Sequence, residues 1–282
     1  LFRSSSLCWM ISGRTDGNEE PEEEESIMIA EDIDIERTFW DMETVGINSA
    51  TSDLVNKDAI GTFNESVTMV NNRYEVSWPW KISKYELPSN LKLAESRLKS
   101  LLLKLNKEKD VMLKYDDIIK KQLKDEIIEV ADSTNEYVSK NSVVTHYLPH
   151  HAVTSINGKE TKVRIVMEGC AKTHPSKRSL NDCLERGPNL VSNLCGMLMR
   201  FRLHRVALIA DIEKAYLQLQ LNESDRDVIR FLWLKDIDKP FSNDNLLVLR
   251  FCRVIWGVVS AAFLLAMTVL YHLKNYDNEV TQ

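Results

Sequence analysis

The chain has 282 residues, 44% of them hydrophobic, enough for one large domain or two ordinary ones with real cores. Its net charge of −6 is uneven: the first 60 residues carry 15 acidic side chains against 4 basic ones, so the remainder is mildly basic and open to a polyanionic partner. The five cysteines (Cys8, Cys170, Cys183, Cys195, Cys252) are scattered with no C-x-x-C pair, which argues against a disulfide framework or zinc ribbon and for a reducing, intracellular compartment.

In chain order, the N-terminus begins with Leu1 rather than Met and has no basic region followed by an apolar stretch. It resembles neither a secretion signal nor a native start, and is expected to be cut from something longer. A short apolar patch at 7–11, followed by Ser12-Gly13, reads as the end of a domain. Residues 19–25 (EEPEEEE) repel one another and cannot pack, so they are read as a solvated linker. Residues 36–47 offer a few aromatic anchors, and 74–80 (YEVSWPW) alternates like a short strand until Pro79 stops it.

From Ser89 or Asn90 as cap, 91–105 places Leu91, Ala94, Leu98, Leu101, Leu102 and Leu105 on one helical face. A second helix is expected from Asp110 to about residue 131, with Val111, Ile118, Ile119, Leu123, Ile127 and Val130 at helical spacing. The two would form an antiparallel helical hairpin. Within it, Tyr115-Asp116-Asp117 imitates the paired aspartates of a polymerase but lies mid-helix and is read as solvated surface. Beyond Tyr147 come short β-rich runs at 163–167 and 206–210, the texture of an α+β domain beginning near residue 143. His146, His150 and His151 lack a matching Cys or His pair and make no tetrahedral zinc set. The uncharged run 254–271 touches the lower length limit of a spanning helix, but Gly257, Ser260 and Thr268 dilute it. It reads more easily as a strand and turn feeding a buried helix, so no membrane association is expected.

Chemistry concentrates in 204–221 (HRVALIADIEKAYLQLQL), an expected apolar strand ending abruptly in Asp211. A carboxylate exposed at a strand's end is a common metal ligand, although one Asp needs acidic partners from elsewhere in the fold and could equally be a cap or turn residue. Tyr216, five residues on, could stack on a sugar or base, or sit in the core. Lys162 and Arg164 alternate on an expected strand, which puts both on one face where they could neutralise phosphates or protect a sheet edge.

The runs YLPHHAV (147–153), TKVRIVM (161–167), SLNDCLERGPNL (179–190), FRLHRVALIADIEKAY (201–216), DRDVIRFLW (225–233) and FCRVIWGVVSAAFLL (251–265), in this order and spacing, closely resemble the reverse transcriptase of BEL/Pao-type LTR retrotransposons. Upstream, FWDMETVGI, RYEVSWPWK and LPSNLKLAESRLKSLLLKL look like the segment joining protease to polymerase in those polyproteins, and LCWMISG resembles the protease's last strand. The resemblance implies an α+β fold, a partial reverse-transcriptase fingers and palm preceded by a helical linker region. Residues 1–18 would be the residual C-terminal end of a retropepsin-like protease, 19–35 an acidic disordered linker, 36–142 a mainly helical connecting region, and 143–282 the fingers and first part of the palm.

The implied activity is RNA-directed DNA synthesis with Mg2+, deoxynucleoside triphosphates, an RNA template and a DNA primer, in the cytoplasm and, in the family, in a virus-like particle. By that analogy Asp211 is the first metal-binding, catalytic carboxylate and Tyr216 the steric gate against a ribose 2′-hydroxyl. Lys162 and Arg164 grip the triphosphate, and Trp256 and Gly257 belong to the loop supporting nucleotide and template. The sequence departs from the family in lacking the downstream Tyr-x-Asp-Asp motif, and in having Glu168 for Asp and Ala261-Ala262 for Ser-Pro. The fragment is therefore expected not to polymerise alone. The alternative is a non-catalytic nucleic-acid-binding or interaction protein derived from such an element.

Overall fold

A computed structural model describes residues 2–5, 8–11, 51–131, 144–157, 160–191, 193–203, 206 and 208–280. The acidic stretch 19–35 and the aromatic anchors of 36–47 lie outside these residues. By compactness the chain divides into 1–47 and 48–282. In the first unit, β1 (Phe2–Ser5) pairs antiparallel with β2 (Cys8–Ile11), Phe2 opposite Ile11 and Ser5 opposite Cys8.

The second unit mixes helices with small, mainly antiparallel sheets, compatible with the α+β class. It opens with α1 (Thr51–Ser66) and a hairpin of β3 (Thr68–Val70) and β4 (Arg73–Val76). The hairpin's two loop residues, Asn71 and Asn72, both take positive φ (48° and 60°), the type I′ geometry whose twist matches that of paired strands and which asparagine tolerates best after glycine. The expected helix appears as α2 (Leu91–Leu105), burying Ala94, Leu98, Leu101, Leu102 and Leu105. Asn90 precedes it in a left-handed conformation, and its Nδ2 donates to Ala171 O instead of capping.

The second helix, α3 (Lys109–Lys124), ends earlier than the sequence pattern implies. Glu126 adopts φ 53°, Ile127 N donates to Gln122 O and Glu126 N to Leu123 O, a Schellman closure with glutamate in the place glycine usually takes. Ile127 and Val130 therefore leave the helical face. Residues from Ile128 to Val130 form β5, which pairs with β10 (Leu246–Phe251), itself paired with β9 (Arg230–Leu234). The solvated reading of Tyr115-Asp116-Asp117 also fails for two of the three. Tyr115 is buried and Asp116 is only 4% exposed, accepting from Trp233 Nε1 at 2.9 Å and pairing with Lys120 at 2.6 Å.

The strand expected at 206–210 is absent: among its described residues none lies in a ladder, and Leu208 and Ile209 are 89% and 87% exposed. A strand is held by hydrogen bonds to a neighbour, and none of the described strands flanks this run. The preceding helix α4 (Leu194–Phe201) likewise buries none of its residues. After β8 (Gln220–Leu221), which runs parallel to β4, the chain reaches α5 (Ala261–Val280), entered by the turn expected at 256–259. No helix among the described residues is long and apolar enough to cross a membrane.

Described residues on both sides of the division expected at 142/143 contribute to one core. Tyr115 stacks on Trp233 with ring centroids 4.9 Å apart. Trp78 N and Trp80 Nε1 donate to the two oxygens of buried Asp225, at 2.9 and 3.1 Å. Burial pushes the Asp225 carboxyl above its ordinary range, and these two bonds oppose the shift. Replacing Asp225 with Ala strands both donors and should lower stability by about 2–4 kcal/mol, read from a urea midpoint. A loss below the scatter of surface substitutions would show that the clamp contributes nothing.

His146 and His150 are both buried, and burial holds each imidazole down to about 4. In the unfolded chain they titrate near 6.5, so between these values the unfolded state takes up protons that the folded state refuses. Stability should be full above about pH 6.5, fall as pH drops through this window and level off below about 4, by on the order of 3 kcal/mol per histidine. A urea midpoint that stays level between about pH 7 and 5 would rule this out.

Candidate nucleic-acid interface

The hairpin of β6 (His150–Asn157) and β7 (Glu160–Met167) carries the two cations singled out in the sequence. Lys162 lies opposite Ser155 and Arg164 opposite Val153, and both cations are exposed. Alternate residues Val163 and Met167 are buried, and His150, opposite Met167, is buried too. The period-2 rule thus puts both cations on the outer face of a strand whose inner face packs against the core.

The base of the hairpin is tied to the 256–259 turn. Gly257 has φ +98°, and a Cβ on it would come within 2.5 Å of Met167 O. A Cβ on Gly169 would come within 2.6 Å of Gly257 O, so neither position can carry a larger residue without movement. Asn181 closes this knot: its Nδ2 donates to Gly257 O at 3.1 Å, its Oδ1 accepts from Val259 N at 2.9 Å, and its own backbone N–H donates to Gly169 O. Asn181 rides on a four-residue helical turn, Leu180–Cys183, started by a Ser179/Asp182 capping box. Lys172 holds the Asp182 carboxyl down to about 2. A cavity of about 430 Å³ opens beside the knot, lined by Arg97, Glu168, Gly169, Lys172 and Gly257 among others.

Trp256, next to this locked glycine, is 68% exposed. Its indole meets the ring of half-buried Tyr216 edge to face, with centroids 5.2 Å apart and planes at 74°. Tyr216 lies on the short 3-10 turn Ala215–Gln218, half-buried and packed against the edge of the core. The structure thus brings Tyr216, Trp256 and Gly257 together, at the base of the hairpin that bears Lys162 and Arg164.

Asp211 stands apart. It is exposed in irregular chain, with exposed Ala210 and Ile212 on either side. Holding two metal ions takes several converging carboxylates. Among the described residues no three His, Cys, Asp or Glu side chains form a group able to hold a metal. Asp211 by itself does not complete a two-ion site, and no step is derived through the ion. The dismissed histidines prove structural or paired: His146 and His150 are buried, and His151 Nδ1 lies 2.9 Å from Glu168 Oε1.

The sequence pattern did not single out Asn181 or Gly169. The only local signal was the S-x-x-D capping pattern at 179–182, which marks a helical start but not what the half-buried side chain of its third residue will hold. No protein-family model matches the chain, and no curated protein matches it.

Replacing Asn181 with Ala removes both side-chain bonds to the turn. It should cost about 1–3 kcal/mol and speed hydrogen exchange at the Val259 amide. Exchange at Val259 unchanged from the parent protein would show that the turn is held without Asn181. Gly257→Ala adds backbone strain and a clash with Met167 O, and should destabilise by about 2–4 kcal/mol in a thermal or urea melt.

Proposed function

We propose that this chain is the fingers and first part of the palm of an RNA-directed DNA polymerase of the BEL/Pao retrotransposon type, which alone grips nucleic acid without extending a primer. The observation that carries this reading is the outward pair Lys162 and Arg164, on a hairpin whose base is locked to the turn bearing Trp256 and touching Tyr216. Cations on a rigid strand neutralise phosphate oxygens, and an exposed indole beside a tyrosine offers a stacking surface for a base or sugar. In this reading Lys162 and Arg164 grip the triphosphate of an incoming deoxynucleotide paired to an RNA template. Tyr216 screens the sugar, and the Trp256-Gly257 turn supports the nucleotide.

Asp211 would supply one carboxylate toward magnesium, with the remaining acids coming from beyond the described residues. The cytoplasm, and a virus-like particle, is the setting that goes with this assignment. A second reading, a nucleic-acid-binding module with no catalysis, is favoured because among the described residues no three His, Cys, Asp or Glu side chains gather into a metal-holding group around Asp211.

Filter binding of RNA and DNA as a function of salt tests the shared part of both readings. Log K should fall linearly with log salt, and Lys162→Gln/Arg164→Gln should flatten the slope by about 1.4–1.8. Absence of binding at low salt would remove both readings. A primer-extension assay with magnesium should give no product, and clear synthesis would show that Asp211 has partners after all.

A further inference from the structure

Outside the aromatic pair, the same two segments carry an unusual arrangement of arginines. Residues 219–221 and 252–254 run side by side, with Val254 N donating to Leu219 O, Leu221 N to Cys252 O, and Gln220 opposite Arg253. Leu219, Leu221 and Val254 are buried in the core. Gln220 also lies opposite Glu75 of β4, so Glu75, Gln220 and Arg253 form one row across three strands. Gln220 bridges the row: its Oε1 accepts from Arg253 Nη1 at 3.0 Å and its Nε2 donates to Glu75 at 3.0 Å. The other Glu75 oxygen accepts from Asn222, so the carboxylate is engaged by amides and kept one residue away from Arg253. Arg73, two residues before Glu75, likewise donates to an amide, Gln218 Oε1, at 3.0 Å.

The neighbouring arginines behave differently. Arg226, Arg230 and Arg250 are all ion-paired, to Glu129 or Asp227. Arg73 and Arg253 form no ion pair among the described residues, although Arg253 is only 8% exposed. Burial first, then the like charges of Arg73 and Arg226, draw the Arg253 guanidinium below its ordinary range, against a smaller pull from the more distant Glu126, with which it forms no ion pair. A guanidinium withdrawn from water, whose side-chain hydrogen bond goes to a neutral amide, retains capacity for an anion. Its forked N–H groups match phosphate oxygens in particular.

We propose that Arg73 and Arg253 form a phosphate-binding strip for a nucleic-acid backbone, running along the ribbon that carries Tyr216 and Trp256 and separate from Lys162 and Arg164. This rests on the nucleic-acid reading above. It adds a second point of grip, with phosphates held on the β4–β8 face while a base meets the aromatic pair, the combination typical of sequence-tolerant strand binding.

The test is fluorescence anisotropy of a short single-stranded RNA between about 50 and 200 mM salt, with the parent protein, Arg73→Gln, Arg73→Gln/Arg253→Gln and Lys162→Gln/Arg164→Gln. Loss of one phosphate contact should flatten the log K against log salt slope by about 0.7, and loss of both arginines by about 1.4, without changing the base preference. If Arg73→Gln/Arg253→Gln fails to fold in a circular dichroism melt, Arg73→Gln alone decides, since its hydrogen bond lies on the exposed hairpin. Arginine variants with the parental slope, alongside a flattened slope for Lys162→Gln/Arg164→Gln, overturn the strip and leave the nucleic-acid reading standing. Absence of binding by the parent protein overturns both.

Discussion

Leu232 O can only accept a hydrogen bond, so the Nε2 of His150 that lies 2.8 Å from it must carry the imidazole proton, leaving Nδ1 to accept from the Tyr115 hydroxyl. One neutral ring thus joins helix α3, the β6–β7 hairpin and strand β9. It is packed among the rings of Tyr115, Phe231 and Trp233. The outward direction of Lys162 and Arg164 follows from this anchor, because alternation along β7 fixes their face once Met167, opposite His150, is buried. The direction of the cations is set by a core contact some way along the strand.

Much of the remaining charge has structural work. Asp116 receives an indole N–H and a lysine, Asp225 receives two donors from the Trp78-Pro79-Trp80 strap, and Asp227 and Glu129 tie Arg226, Arg230 and Arg250 together. Buried Asp116 and Asp225 each have donors, as burial demands. Arg253 and Asp211 differ from this pattern in opposite ways. The first is a covered cation facing a neutral amide, the second an uncovered anion outside any three-residue metal-holding group among the described residues.

Helix α2 was legible because its apolar spacing is local and its burial follows the same stripe, and the turn before α5 was legible from its glycine. The end of α3 was not. Glu126 carries no local mark of a left-handed residue, and Ile128 to Val130 becomes a strand only because Leu249 to Phe251 lies beside it. The run 206–210 shows the converse: its composition suits a strand, but pairing depends on a neighbour that the local sequence does not specify. Within the site, the shared face of Lys162 and Arg164 could be read from a two-residue period, and the turn at Gly257 from composition. The Asn181 knot could not, since it joins three segments that are distant in sequence.

The uncovered segment around Leu208 and Ile209 bears on how this polypeptide behaves in a crowded solution. From Val206 to Ala210 the sequence is apolar, uncharged and free of proline, bounded by Arg205 and Asp211, and its described backbone is outside any ladder. Such a stretch is a template for intermolecular strand addition, and only the flanking pair of charges acts as a gatekeeper. Association through this stretch would therefore rise with protein concentration and be restrained by these two charges even where the core stays firmly packed.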